Sequence, residues 1–387
     1  MRKFLRGVWL IGLGAALILS ACVKEEKKPR FTGETSEEPV YQANLNLIFP
    51  AAYNNVQGLD LEPGTYISII GAASSTAYWK AIKAGADQAA ADINEALGFT
   101  GNARIKMTYN APNNTGDIDE QVNILDEELA RYPDAIAIAT VDHEACSVQF
   151  DLAAENGIPI VAFSSGNAYQ GLQCTVMTNH KEAGKTGAAK LAEEMDDDGQ
   201  VLLLVYDSKV DACKAQEEGF IQEIEANHPD VIVVETLYCD QMGELKKLIA
   251  EERSNKDNGT DAGIITATDI ADEDVIAYYL EKHPDIKGCF GTNETATQLA
   301  VSAFRQQGLT GEIMVMGFGA GKKQIDGLKK GEIKGLAVPN PFGIGYATVV
   351  AAARTVLEIG NEAVVNTGYA WVTMDNIEDV NIKNILY

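Results

Sequence analysis

Tyr132-Pro133-Asp134-Ala135-Ile136, His228-Pro229-Asp230-Val231-Ile232 and His283-Pro284-Asp285-Ile286 repeat one junction, and reading it decides the fold. In each, proline ends a helical segment because it cannot donate the next backbone hydrogen bond, and an apolar run follows at once. These runs are mostly uncharged on both faces, as strands of a sheet covered by helices must be. Outward from the junctions, short β-branched runs alternate with longer segments of helical period. Strands are expected over residues 66–70, 104–109, 135–139 and 158–163, with helices near 78–96, 117–131 and 144–155. The alternation then restarts, with strands over 200–206, 231–237, 263–267, 288–292 and 313–317 and helices near 181–195, 212–226, 243–252, 272–282 and 295–307. A chain of 387 residues exceeds what one small core needs. The fold class is therefore α/β, with two doubly wound parallel-sheet, Rossmann-like domains.

The N-terminus has a different character. Arg2, Lys3 and Arg6 precede an apolar run from Val8 to Leu19 that is short for a membrane span, and Leu19-Ser20-Ala21-Cys22 closes it with small residues before a thiol. This pattern looks like a bacterial lipoprotein signal over 1–21, with Cys22 the lipid-attachment residue and the remainder extracytoplasmic, tethered to the cell membrane. An uncleaved anchor is the alternative and leaves the compartment unchanged. Residues 22–64 read as a lipidated tether, although 45–61 hold enough apolar residues to pack on the body.

The net charge of −25 becomes −28 without the three leader cations, which argues against nucleic acid or an anionic surface as partner. With Cys22 lipidated, five cysteines remain and at least one stays unpaired within the chain. Cys213 with Cys239 and Cys146 with Cys174 are candidate pairs that sequence leaves open. No Cys-x-x-Cys or Cys/His spacing suits a metal, and no cofactor motif is present.

Open parallel sheets bind ligands beyond the carboxyl ends of their strands, so the loops there hold the candidates. None forms a catalytic set. Ser164-Ser165-Gly166 lacks nucleophile-elbow spacing, and Gly317-Phe318-Gly319-Ala320-Gly321-Lys322-Lys323 lacks the glycine gap and the Ser/Thr of a phosphate loop. Two of the four histidines sit in the proline junctions. Thr76, Tyr78 and Trp79 instead bring a hydroxyl and two aromatic faces to the start of a helix, a combination suited to the C–H faces and hydroxyls of a sugar. A buried helix face is the plainer reading of Tyr78 and Trp79, and a helix cap the better reading of Asp142.

From Thr65 onward the chain resembles the type I periplasmic solute-binding proteins, specifically the ribose- and galactose-binding group that serves sugar ABC transporters. The likeness rests on Tyr78-Trp79-x-Ala-x-Lys-Ala-Gly-Ala, Asn156-Gly157-Ile158-Pro159-Ile160-Val161, Glu218-Gly219-Phe220 and Phe290-Gly291-Thr292-Asn293-Glu294, in that order around the strands. It implies the type I periplasmic binding protein fold: one lobe of residues 65–177 plus 341–370, another of 178–340 plus 371–387. Three crossings near Met177, Pro339 and Tyr369 form the hinge. Ligand contacts are implied for Thr76, Tyr78, Trp79, Ser164, Ser165, Lys214, Cys239, Asn293, Gly319 and Asn340. The chain departs from the family where carboxylates are expected, at Ser164 and Gly319, and has Pro339 before Asn340 where Gln is usual. Asp142 or Asp207 are candidate replacements.

The implied role is that of a monomeric, non-enzymatic binding protein. It would capture a small polar ligand, most simply a monosaccharide, and deliver it to an ABC transporter permease. A nucleoside or sugar derivative is the alternative ligand, and Lys214 leaves an acidic sugar open. A sensor presenting its ligand to a membrane histidine kinase or chemoreceptor is the alternative role.

Overall fold

Two six-stranded sheets organise the chain. The computed structural model describes residues 39–256 and 265–387, of which 40–387 form one compact unit. In the first half lie β1 (Tyr66–Ile70), β2 (Lys106–Asn110), β3 (Ala135–Ile138), β4 (Ile160–Phe163) and β5 (Leu172–Met177). The second half holds β6 (Gly199–Val205), β7 (Val231–Tyr238), β8 (Ile286–Gly291), β9 (Met314–Phe318) and β10 (Gly335–Pro339). Two late strands, β11 (Val364–Asn366) and β12 (Tyr369–Val372), complete one sheet each.

The strand orders are β11-β5-β4-β3-β1-β2 and β12-β10-β9-β8-β6-β7. All pairings are parallel except that of β12 with β10, so the two lobes are doubly wound α/β units as the junction repeats predicted. Every residue of β1, β3, β4 and β10 is buried, which explains their lack of alternation. The β3, β7 and β8 strands each follow one of the three proline junctions. Two of the family-like motifs also have a packing cause. A Cβ at Gly85 would strike the Phe342 carbonyl of helix 341–356, and one at Gly219 would strike the Lys181 carbonyl of helix 180–194, so these glycines permit close helix contact.

Several expectations are corrected. β5, β10 and the helix Lys322–Lys329 were not anticipated. β5 (LQCTVM) is only half-buried and keeps polar Gln173 and Thr175, which breaks up the apolar run. Of the strand expected over 263–267, the first two residues lie outside the described residues, and Ala267 begins a 3-10 turn. The lobe boundary expected at residue 370 falls earlier, because Tyr369 already pairs with Pro339 in the second sheet. Residues 40–64 are no tether. Leu45, Ile48, Tyr53, Leu59 and Leu61 are buried in the first lobe's core, while Leu47 packs against the second lobe's core. Phe49 also exchanges backbone hydrogen bonds with Asn366, so this segment straps the hinge. Cys22 and residues 1–38 lie outside the described residues.

No disulfide forms among the described residues. Cys146, Cys174, Cys213, Cys239 and Cys289 are all free, and both candidate pairs are thereby corrected. Each thiol sits in the apolar core of its own lobe, where burial disfavours the thiolate. No helix among the described residues is long and apolar enough to cross a membrane.

Candidate functional site

Beyond the carboxyl ends of β1, β8 and β9 the two lobes face each other across a cleft of about 500 Å³. Thr76, Ala77 and Tyr78 line it from the first lobe; Asn293, Glu294, Phe318, Gly319, Gly321, Lys322 and Tyr387 line it from the second, with Pro339 at the hinge. Its walls are therefore two tyrosines and a phenylalanine, with an amide, a carboxylate and an ammonium group among them.

Thr76 caps helix Ala77–Ala96, its Oγ1 accepting from the Trp79 amide at 3.4 Å. That cap presents Tyr78 to the cleft. The Tyr78 hydroxyl is 3.0 Å from the Ser164 Oγ, and Ser164 holds a left-handed backbone (φ 64°) to bring its side chain there. Burial pushes the Tyr78 phenol up to about 12. The structure thus ties two of the expected residues together, with Ser164 behind Tyr78 as its positioning partner. Ser165 turns away and donates to the Thr140 carbonyl at 3.4 Å.

Trp79 does not line the cleft. Its ring packs edgewise on Phe163 of β4 (centroids 6.4 Å apart) and on Tyr78, as part of the first lobe's core. The neighbouring position on a helix points about 100° away, and here Tyr78 lines the cleft while Trp79 packs on the core. Asp142 is a turn cap: its Oδ1 accepts from the Glu144 and Ala145 amides at 2.9 Å, which lowers its pKa. The Asp207 Oδ1 accepts from the Lys209 and Val210 amides at 2.8 and 3.2 Å. Neither lies among the residues that line the cleft.

On the second lobe Asn293 lies in the cleft and caps helix Glu294–Gln306, its Oδ1 accepting from Ala296 at 2.8 Å. Its Nδ2 has no hydrogen-bond partner among the described residues. Gly319 turns the chain at φ 116° after β9. Lys214 is drawn off to Asp211 at 2.6 Å, and Asp211 in turn lies 3.7 Å from His143 of the opposite lobe, so this cluster sits on the rim. Cys239 packs against the second lobe's core, its thiol pushed up to about 12 by burial.

Asn340 is the largest correction. It is fully buried, and its amide is saturated. Oδ1 accepts from Asn44 Nδ2 (3.0 Å) and the Gly343 amide (2.9 Å), while Nδ2 donates to the carbonyls of Asn44 (2.7 Å) and Thr367 (2.9 Å). It ties the hinge and has nothing left for a ligand.

Sequence reasoning missed Glu294 and Tyr387. Glu294 opens the helix that Asn293 caps, and its carboxylate lies directly over Gly321, where a Cβ would collide with it. It has no hydrogen-bond or ion-pair partner among the described residues. Gly321 is the local signal that an approach is needed there. Beside the cleft, His180 packs on Phe318 (5.4 Å) and lies 3.0 Å from Gln216 through Nδ1. Burial lowers its pKa to about 4, so the ring is neutral at pH 7. No group of three or more metal-ligating side chains occurs among the described residues.

Residues 67–360 match the family model described as periplasmic binding protein domain. No curated relative matches the chain. Among solved structures, similarity extends to a carbohydrate transporter solute-binding protein from Agrobacterium radiobacter in complex with D-arabinose. Identity to it is 23%, the match covers 84% of this chain and 99% of that one, and the TM-score is 0.64. An ABC transporter solute-binding protein from Agrobacterium vitis bound with α-D-tagatopyranose gives 23%, 84%, 99% and 0.65 in the same order. An arabinose-binding protein from Geobacillus stearothermophilus gives 22%, 82%, 99% and 0.65.

Proposed function

Because the chain belongs to the periplasmic binding protein domain family, which spans most of its length, we propose that it captures a small polar ligand, a monosaccharide, between its lobes and delivers it to an ABC transporter permease. The observation that carries this reading is the opposition of Tyr78 on one lobe to Asn293 and Glu294 on the other across one cleft. A tyrosine ring offers a face for sugar C–H groups, the Asn293 amide donates to a hydroxyl oxygen, and the Glu294 carboxylate accepts from hydroxyls. Glu294 thus takes the part of the carboxylates that the family resemblance expects at Ser164 and Gly319. Lys322 supplies a donor beside it. The sugars named for the similar structures support the ligand class.

A ligand that touches both walls favours the closed arrangement through its differential contacts, and that arrangement is what a permease would read. The leader ending in Leu19-Ser20-Ala21-Cys22 supports a lipid anchor at Cys22 on the outer side of the cell membrane. Binding stabilises the bound state by mass action, so a thermal-shift screen of residues 23–387 against D-arabinose, D-tagatose, D-ribose, D-galactose, nucleosides and amino acids tests the ligand class. A sugar among the hits is expected; a response to amino acids alone contradicts it. Cys22→Ala is expected to release the protein from the membrane fraction, and a variant that stays bound contradicts the anchor.

A further inference from the structure

Tyr387 joins the two lobes at the cleft. It packs with Ile382, Ile385 and Leu386 against the core of the second lobe, yet its ring meets Tyr78 of the first lobe edge to face, with centroids 5.6 Å apart and planes at 70°. Its hydroxyl accepts from the Ala320 amide at 3.1 Å, in the turn after β9, which leaves the phenol proton free to be given to another group. Two rings at this angle form a corner, not a stack, so a ligand in the cleft meets both. Tyr387 itself lines the 500 Å³ space, and room remains beside it.

We propose that Tyr387 is a specificity-determining wall of the ligand cleft, offering its ring to the apolar face of the sugar and its hydroxyl proton to a sugar oxygen. This inference rests on the sugar-binding reading of the same cleft. The Ala320 bond holds the phenol in place, and Tyr78 supplies the matching ring from across the cleft. Neither role needs the Tyr387 side chain to leave when ligand enters.

The test is calorimetric titration of wild type, Tyr387→Ala and Tyr387→Phe with whichever of D-arabinose, D-tagatose, D-ribose or D-galactose binds the wild type. Hydrogen exchange of the 319–322 backbone is followed in parallel without ligand. Loss of the ring is expected to weaken binding on the order of tenfold or more. Loss of the hydroxyl alone is expected to weaken it about fivefold. Both variants are expected to exchange the Ala320 amide faster. Wild-type affinity in both variants overturns the inference and leaves the sugar reading standing; absence of any sugar binding by the wild type removes both. Should Tyr387→Ala fail to fold, Tyr387→Phe decides: unchanged affinity overturns the proposal.

Discussion

Asn44 and Asn340, 296 positions apart, exchange hydrogen bonds at the hinge: Asn44 Nδ2 donates to Asn340 Oδ1, and Asn340 Nδ2 donates to the Asn44 carbonyl. The same Asn340 amide reaches Thr367 in the third crossing and caps helix Pro341–Val356, so one side chain links three separate segments in a dry site. Asn340→Ala leaves those partners unsatisfied and is expected to cost about 3 kcal/mol, read as a lowered melting temperature. Asn293→Ala removes only a helix cap and is expected to cost about 1 kcal/mol. Equal stability losses in the two variants would contradict this assignment of roles.

His180 predicts a pH effect. Its folded pKa of about 4 lies below the ordinary 6.5, so between those values the unfolded chain binds more protons than the folded one. Its share of stability is complete above pH 6.5 and is lost as pH falls toward 4. Urea denaturation at pH 7.5 and 4.5 is expected to show His180→Gln losing up to about 2–3 kcal/mol less than wild type over that interval. An identical pH slope in the variant rules out this role for His180.

The free thiols make a redox prediction. Burial raises the pKa of Cys146 to about 11 and of Cys174 and Cys239 to about 12, so few thiolates exist at pH 8. Folded protein is expected to react slowly with Ellman's reagent, and reductant is expected to leave the melting temperature unchanged. A drop of several degrees on reduction would reveal a bridge, since removing a native disulfide typically costs about 2–5 kcal/mol.

What the sequence could show depended on how local each cause was. Pro133, Pro229 and Pro284 act on their own neighbours, so the strands that follow them were legible. Gly317 to Lys323 reads as a glycine-rich loop, yet its last two residues begin a helix, because Phe318 and Gly321 place Gln324 to bond the turn behind it. Thr76, Tyr78, Asn293 and Gly319 stood at strand ends and do line the cleft. Asn340 stands at a strand end too, but beyond the Gly343 amide its partners come from residues 44 and 367, which no local pattern links to it. Tyr387 meets Tyr78 only once both lobes are folded, and Trp79 was turned to the core by the single helical step that aims Tyr78 outward.

Glu294 carries the polar part of the proposed recognition, so Glu294→Ala in direct titration is the most telling measurement. With a sugar that binds the wild type, losing a carboxylate that accepts from hydroxyls is expected to weaken affinity by about 10- to 100-fold, at a charge-assisted 1.5–3 kcal/mol. The melting temperature without ligand is expected to hold, because Glu294 makes no hydrogen bond or ion pair among the described residues. Sugar affinity unchanged by Glu294→Ala would contradict the claim that this cleft is where the ligand is held.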